Sequence, residues 1–283
     1  MQEKILFKDK NNKNSITNIH ILDKLKELGA NRCDILYVHT ALTFGLSVLK
    51  KSELLEELFI IFKSLSIPTL IFPTFTFSFP NGEDFDVQNT KTTMGVFNEY
   101  FRKQDGCIRS TDPLMSNVLL GEHREFLTEI GKNSCGKDST FDLLHKTELN
   151  VKFLFFGVHV GDCFTFMHYI ENELDAPYRY SRPFTGKIIN NGKIYTDTYN
   201  LFVRYNNVLP NAGSYIYENI MIERNISKQV KLGDNQITIV PEQAAFTLYQ
   251  DIFQSYPCFF ISEPFKESKK NTDFNLTSKM IAL

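Results

Sequence analysis

The sequence predicts an α/β fold: a single domain with a mixed sheet, parallel in its first half and antiparallel in its later half, flanked by helices. Three observations predict it. Residues 35–39 and 68–72 are short apolar strands separated by an amphipathic helix at 52–65, a strand–helix–strand spacing that implies parallel pairing. Residues 151–158 form an apolar run broken only by Lys152 and Gly157, as expected of a strand buried on both faces, and helical periodicity follows at once. Further on, Asn191-Gly192 between apolar flanks signals a type I′ hairpin, continued by alternation through Tyr199, Leu201, Val203 and Tyr205.

In chain order, residues 1–17 are polar and read as a loose lead-in, 18–262 as the domain, and 263–283 as a polar, peripheral tail. Ile19, Leu22, Leu25 and Leu28 carry helical spacing that stops at Gly29. The strands at 35–39 and 68–72 deliver polar or hydroxyl-rich loops at 40–45 and 73–77. The long stretch 81–150 offers a short helix at 95–103 and another at 125–130. Gly161 and Asp162 look like a turn and an N-cap for a helix over 163–174. On it Phe166, Ile170 and Leu174 share one face, with Thr165, His168 and Glu171 roughly opposite. Gly233-Asp234 turns the chain into a strand at 237–240, and Pro241-Glu242 opens a helix through Phe253.

Composition narrows the function. In 283 residues, 42% hydrophobic and 23% charged content is ordinary for a globular protein. Nothing approaches the ~20 apolar residues of a membrane span, and the N-terminus lacks a signal-peptide core, so no membrane insertion is expected. A net charge of −2 argues against nucleic acid as a partner. Five scattered cysteines, with no C-x-x-C pair and no H-E-x-x-H run, suggest no metal and fit a reducing cytoplasm. Residues 131–138 match the spacing G-x-x-x-x-G-K, but Asp138 stands where a magnesium-binding hydroxyl belongs and no buried strand precedes them, so nucleotide hydrolysis is rejected.

Three strands deliver loops to one carboxyl edge, the usual binding edge of open α/β sheets. There, His168 has Glu171 one helical turn away, and a carboxylate beside an imidazole raises its basicity and can fix its tautomer. Such a pair is also what a solvated helix face would carry. Arg109 either forks onto a phosphate or carboxylate or pairs structurally with Asp105 or Asp112.

Five fragments in order resemble the aminoglycoside 3-N-acetyltransferase family. Residues 33–42, ending in His39, Thr40, Ala41 and Leu42, resemble its Gly-Asp…Val-His-x-Ser-Leu segment. Pro73 to Phe77, around Phe75, is similar to its Pro-Thr-Phe-Thr-Trp. Residues 106–116, with Arg109, Ser110, Thr111 and Ser116, resemble its Gly-x-x-Arg-Ser-x-His-Pro-x-x-Ser, and residues 136–144 its Gly-x-x-Ser-Pro-Phe-x-x-Leu. Gly157 through Thr165, His168, Tyr169 and Glu171 match Gly-Val…Thr-x-x-His-Tyr-x-Glu. Cys33, Ala41, Phe77, Asp112 and Thr140 depart from the pattern, Ala41 and Asp112 most consequentially because the pattern puts those loops near the coenzyme.

The resemblance implies an acyl-CoA-dependent N-acyltransferase working by direct transfer, with acetyl-CoA or another acyl-CoA as donor. His168 would be the general base and Glu171 its orienting carboxylate. His39, Thr40, Ala41, Leu42, Arg109, Ser110, Thr111 and Ser116 would serve the coenzyme, and Phe75 the acceptor. Residues 176–186 are similar to a segment of members associated with surface-glycan assembly. Tyr178, Arg179 and Arg182 would therefore meet an amino-sugar acceptor, unless the two arginines pair with Glu171, Glu173 or Asp175. An aminoglycoside acceptor and an idle ligand-binding relative are the rival readings, and the oligomeric state stays open between monomer and homodimer.

Overall fold

A computed structural model describes residues 1–11 and 14–272. The polar lead-in expected at the N-terminus is instead a small sheet: β1 (Ile5–Lys8) pairs antiparallel with β2 (Ser15–Thr17). Its apolar minority decides the matter, because Leu6, Phe7 and Ile16 are buried against the domain. Helix α1 (Asn18–Glu27) follows, capped by the Thr17 hydroxyl, which accepts from the His20 N–H. Next come β3 (Ile35–Thr40), β4 (Leu46–Ser47, the third strand of the N-terminal sheet), α2 (Lys51–Ser64) and β5 (Thr69–Pro73).

The long stretch 81–150 holds β6 (Phe85–Asp86), α3 (Val96–Phe101), the antiparallel pair β7 (Ile108–Arg109) and β8 (Asn117–Gly121), and α4 (Thr140–Lys146). The helix expected at 125–130 is a single 3-10 turn, Phe126–Thr128. Then come β9 (Val151–Phe156), the one-turn α5 (Val160–Cys163), α6 (Phe166–Glu173), β10 (Arg179–Asn190) and β11 (Lys193–Arg204). The chain closes through α7 (Gly213–Glu223), β12 (Lys228–Leu232), β13 (Asn235–Pro241) and α8 (Glu242–Ser255). Of the expected tail, residues 263–272 are described and dock on the domain, with Phe265 stacked on Tyr205 at 5.5 Å; residues 273–283 lie outside the described residues.

The main sheet runs β12-β13-β9-β3-β5-β8-β7. Its three central strands are parallel, and antiparallel strands flank them on both sides. The sheet is therefore mixed, although the antiparallel part does not belong only to the later chain. Alternate residues of β3 enter two separate cores: Tyr37 joins one with Phe153 and Phe155, while Leu36 and Val38 join the other with Leu154 and Phe156. That division explains why these strands read as unbroken apolar runs. The expected hairpin forms, with Asn191 and Gly192 both at positive φ (49° and 78°). Its strands make a separate sheet with β6, and its turn sets a twelve-residue register from Asn190↔Lys193 to Arg179↔Arg204.

Where β9 ends, Gly157 has φ +75°, and a Cβ there would overlap the Ala41 carbonyl oxygen. The loops leaving β3 and β9 thus touch backbone to backbone at the carboxyl edge, which only glycine permits. Gly157→Ala is expected to lower stability by about 2–3 kcal/mol, read as a lower urea midpoint at unchanged m-value.

Candidate active site

Past Gly157 the chain turns into α5 and α6. A single helix over 163–174 does not form, because Phe164 and Phe166 both pack on Phe153, at 5.0 and 4.9 Å. Residues two apart point to different sides of a helix, so the chain must break between them. Asp162 is accordingly not a cap; it sits within α5 and accepts a hydrogen bond from the Tyr215 hydroxyl, while the Gly161 N–H goes to Glu218 at 3.0 Å.

On α6, Phe166, Tyr169 and Ile170 are buried in the core, and the opposite side is not a solvated face. Glu171 is 3% exposed, held between the helix and the base of the long hairpin. Its Oε2 meets Arg179 at 2.6 Å, its Oε1 accepts from the Tyr178 hydroxyl at 2.7 Å, and His168 Nδ1 lies 3.4 Å from Oε2. Burial alone would raise the Glu171 carboxyl, but the Arg179 guanidinium overrides it and holds it at about 2. Burial, then Arg179, lower His168 below the usual imidazole range, against the opposing pull of Glu171, so the ring is neutral at pH 7.

Nδ1 of His168 has two suitors, since Arg179 Nη2 also approaches it at 3.0 Å. The shorter, charge-assisted contact from that nitrogen goes to Glu171. Nη2 carries two N–H groups and can serve Glu171 with one and Nδ1 with the other; the tautomer with Nδ1–H towards Glu171 and the lone pair on Nε2 is the one that a base requires. His168, Glu171, Arg179 and Arg204 line one cleft with Asp162 and Tyr215; Phe164, Met167, Phe260 and Ile261 supply apolar wall.

The remaining expected site residues are placed otherwise. His39 is 3% exposed, stacked on Phe155 at 5.1 Å, and burial pushes it down to about 3, so it is a neutral core residue. Arg109 neither pairs with Asp105 or Asp112 nor stands free for a phosphate. Its Nε meets the Thr74 and Ser116 hydroxyls at 3.2 Å each, Nη1 the Val87 and Thr90 carbonyls, and Nη2 the Thr74 carbonyl. Ser110 and Ser116 are buried, Ser110 accepting from the Asn117 N–H and Ser116 donating to Thr74. Asp112 organises the same loop by accepting from the Leu114 and Met115 N–H groups and the Ser134 hydroxyl. The polar groups of Arg109, Ser110, Asp112 and Ser116 are thus taken up within the protein, largely by residues outside the fragment.

Phe75 is core, and Thr111 lies 3.4 Å from the Tyr199 hydroxyl. Tyr178 and Arg179 stand beside His168 as supports of Glu171; Arg182 lies over the Phe184 ring, outside the described lining of the cleft. Thr40 touches Asn98 at 2.6 Å, with Ala41 and Leu42 beside it. Burial pushes the Cys107 thiol up to about 12 and Cys163 upward too, so neither supplies a thiolate at neutral pH. Arg204 and Tyr215 were not expected in the site. Arg204 had a signal, since counting back from the two-residue turn sets it opposite Arg179; Tyr215 had none.

Among the described residues no cluster of three His, Cys, Asp or Glu side chains is placed to hold a metal, and no helix is long and apolar enough to cross a membrane. An imidazole–carboxylate pair at the carboxyl edge of a mixed sheet is an arrangement able to move a proton. Residues 69–254 match the family described as aminoglycoside 3-N-acetyltransferase, and the chain belongs to that family. It is therefore an N-acyltransferase by class. No curated protein matches it.

Among solved structures, it is similar in fold to the aminoglycoside acetyltransferase AAC(3)-IVa apoenzyme (19% identity, 89% of this chain and 93% of that one, TM-score 0.68). It is also similar to AAC-IIIb in a binary complex with CoASH (17% identity, 84% and 96%, TM-score 0.72). The YokD protein from Bacillus subtilis is a third (18% identity, 85% and 94%, TM-score 0.66).

Replacing Glu171 by Gln would leave the Arg179 charge buried without its counter-ion. Glu171→Gln is expected to cost about 3 kcal/mol or more in chemical denaturation at pH 7. Because the native carboxyl is held low, its stabilisation is complete above about pH 4.5 and lost as pH falls towards 2. The variant should lack that part of the acid dependence.

Proposed function

We propose that this enzyme transfers an acetyl or other short acyl group from coenzyme A to the amino group of an amino sugar, in surface-glycan biosynthesis, with His168 as general base. The observation that carries the reading is the cleft-lining imidazole whose Nδ1 faces Glu171, a carboxylate itself fixed by Arg179 and Tyr178. In the base-competent tautomer Nε2 takes a proton from the acceptor ammonium. The freed amine attacks the thioester carbonyl carbon, a C–N bond forms, and the C–S bond breaks. The imidazolium returns its proton to the departing sulfur, and the second ammonium proton goes to solvent. Glu171 is a positioning residue that fixes the ring and stabilises the imidazolium.

The donor is a substrate, and the residues present suit it. Phe164, Met167, Phe260 and Ile261 offer an apolar wall to a thioester arm. Lys51 and Lys91 supply cations in a surface depression that reaches Gly95, which abuts the Thr40 carbonyl oxygen. The Thr40–Ala41–Leu42 loop therefore stays in the coenzyme assignment, while His39, Arg109, Ser110 and Ser116 act within the protein interior.

An amino-sugar acceptor is favoured because the described cleft lining carries two carboxylates (Asp162, Glu171) against two guanidiniums (Arg179, Arg204), no acidic excess for a polycation. Aminoglycoside acetylation is the second reading, supported by the family itself and by the similar fold of AAC-VIa, solved with sisomicin bound.

Thiol release from acetyl-CoA, measured against amino sugars, nucleotide-linked amino sugars and aminoglycosides, decides between them. Turnover restricted to aminoglycosides would replace the first reading by the second. Absence of turnover with retained coenzyme binding would leave an idle relative. His168→Ala is expected to keep coenzyme binding and lower kcat by about 10²-fold or more. The acid limb of kcat/KM should lie below the ordinary histidine value of 6.5, since burial and Arg179 disfavour the imidazolium. In Glu171→Gln the limb should move further to acid, because the carboxylate that favours the imidazolium is gone.

A further inference from the structure

The cleft that holds His168 is lined by two carboxylates, and the protein engages them to different degrees. Glu171 is buried, with one oxygen on Arg179 and the other on Tyr178. Asp162 is half-buried, and among the described residues its carboxylate takes a single hydrogen bond, from the Tyr215 hydroxyl. A carboxylate can accept about four, so Asp162 keeps acceptor capacity towards the cleft. Its position is nevertheless built. The hydrogen bond to Asp162 pushes the Tyr215 phenol up to about 12, so the phenol keeps its proton and the clamp persists at neutral pH. A Cβ on Gly161 would lie only 2.7 Å from the Tyr215 ring, and the Gly161 N–H is held by the buried Glu218 at 3.0 Å. Helices α5 and α7 thus fix each other, and the carboxylate is held where they meet. Tyr215, 45% exposed, and Phe260 add aromatic surface to the same cleft. An apolar wall with a few fixed polar groups is what orients a small ligand.

Resting on the amino-sugar reading and adding to it, we propose that Asp162, clamped by Tyr215, is the specificity-determining residue for the acceptor ring, its carboxylate accepting a hydrogen bond from a ring hydroxyl beside the amine. The charge serves a hydroxyl and not the reacting ammonium. An ammonium paired with a carboxylate holds its proton more firmly, which would oppose removal of that proton by His168. A hydroxyl raises no such conflict: it donates to a charged oxygen, the stronger class of hydrogen bond, and leaves the amine to the base. An acceptor lacking that hydroxyl loses the bond and leaves the carboxylate short of a partner, which is how a polar site rejects an analogue.

Calorimetric binding of glucosamine and its 3-, 4- and 6-deoxy analogues, with coenzyme A present, tests this in the unaltered enzyme and in Asp162→Asn. The variant keeps the shape of the side chain and an oxygen for Tyr215, and removes the charge. In the unaltered enzyme, deletion of at least one hydroxyl should weaken binding about tenfold or more. In Asp162→Asn, glucosamine itself should bind about tenfold or more weakly, and the same deletion should cost little further. Tyr215→Phe, which keeps the charge and releases the clamp, should give a smaller loss of about threefold with the hydroxyl dependence retained. Coenzyme A should bind all three proteins alike; a variant that loses it as well marks a structural role and overturns the proposal. So does Asp162→Asn binding glucosamine as the unaltered enzyme does, or a hydroxyl deletion costing the same in both. An unaltered enzyme that binds none of the four sugars, or all of them equally, overturns it too. Thiol release from acetyl-CoA is read separately. Hydroxyl-dependent binding of glucosamine without acyl transfer would sink the amino-sugar reading and sustain Asp162 as the residue that recognises the ligand.

Discussion

The site depends on one buried ion pair, Arg179 with Glu171. It ties α6, which carries the imidazole, to the base of the long hairpin, the next element along the chain. Taking either partner out of water costs several kcal/mol, and most of the pair's other hydrogen-bonding groups are met, Arg179 Nε excepted among the described residues. The Tyr178 hydroxyl satisfies the second carboxylate oxygen, and the Phe202 carbonyl takes Arg179 Nη1. A carboxylate fixed this firmly offers His168 a constant orientation.

Much of this was legible in the sequence. The strand–helix–strand spacing located the parallel centre of the sheet, and Asn191-Gly192 located the hairpin, since few residues tolerate the paired positive φ of that turn. His168 and Glu171, three apart on a helix, were expected to meet and do. What failed to read through was tertiary. The N-terminal segment 1–17 is polar as a whole, and its strands gather most of its few apolar residues, Leu6, Phe7 and Ile16 going into the core. The break before α6 follows from two phenylalanines seeking one partner, Phe153, which spacing alone cannot show.

Arg109 teaches the complementary lesson. A cation in a loop of hydroxyls resembles an anion site in one dimension, yet the fold turns every guanidinium nitrogen towards protein oxygen. A motif preserved in order can thus mark a loop's architecture as easily as its ligand. By contrast, Arg204 belongs to no fragment of the family pattern described above and still reaches the cleft, because strand register and not local sequence delivers it.

That delivery makes the distant turn a measuring device. Twelve residues of strand separate Asn191-Gly192 from Arg204, a lever of about 40 Å, and side chains alternate between faces at every step. One residue gained or lost at the tip would slide the ladder by a single notch and rotate the arginine out of the cleft, without touching any group that lines it. The chemistry of the pocket is therefore exposed to insertions at a remote surface loop, where sequences ordinarily drift with impunity. In this chain the length of that hairpin shapes the candidate cleft as directly as the side chains that line it.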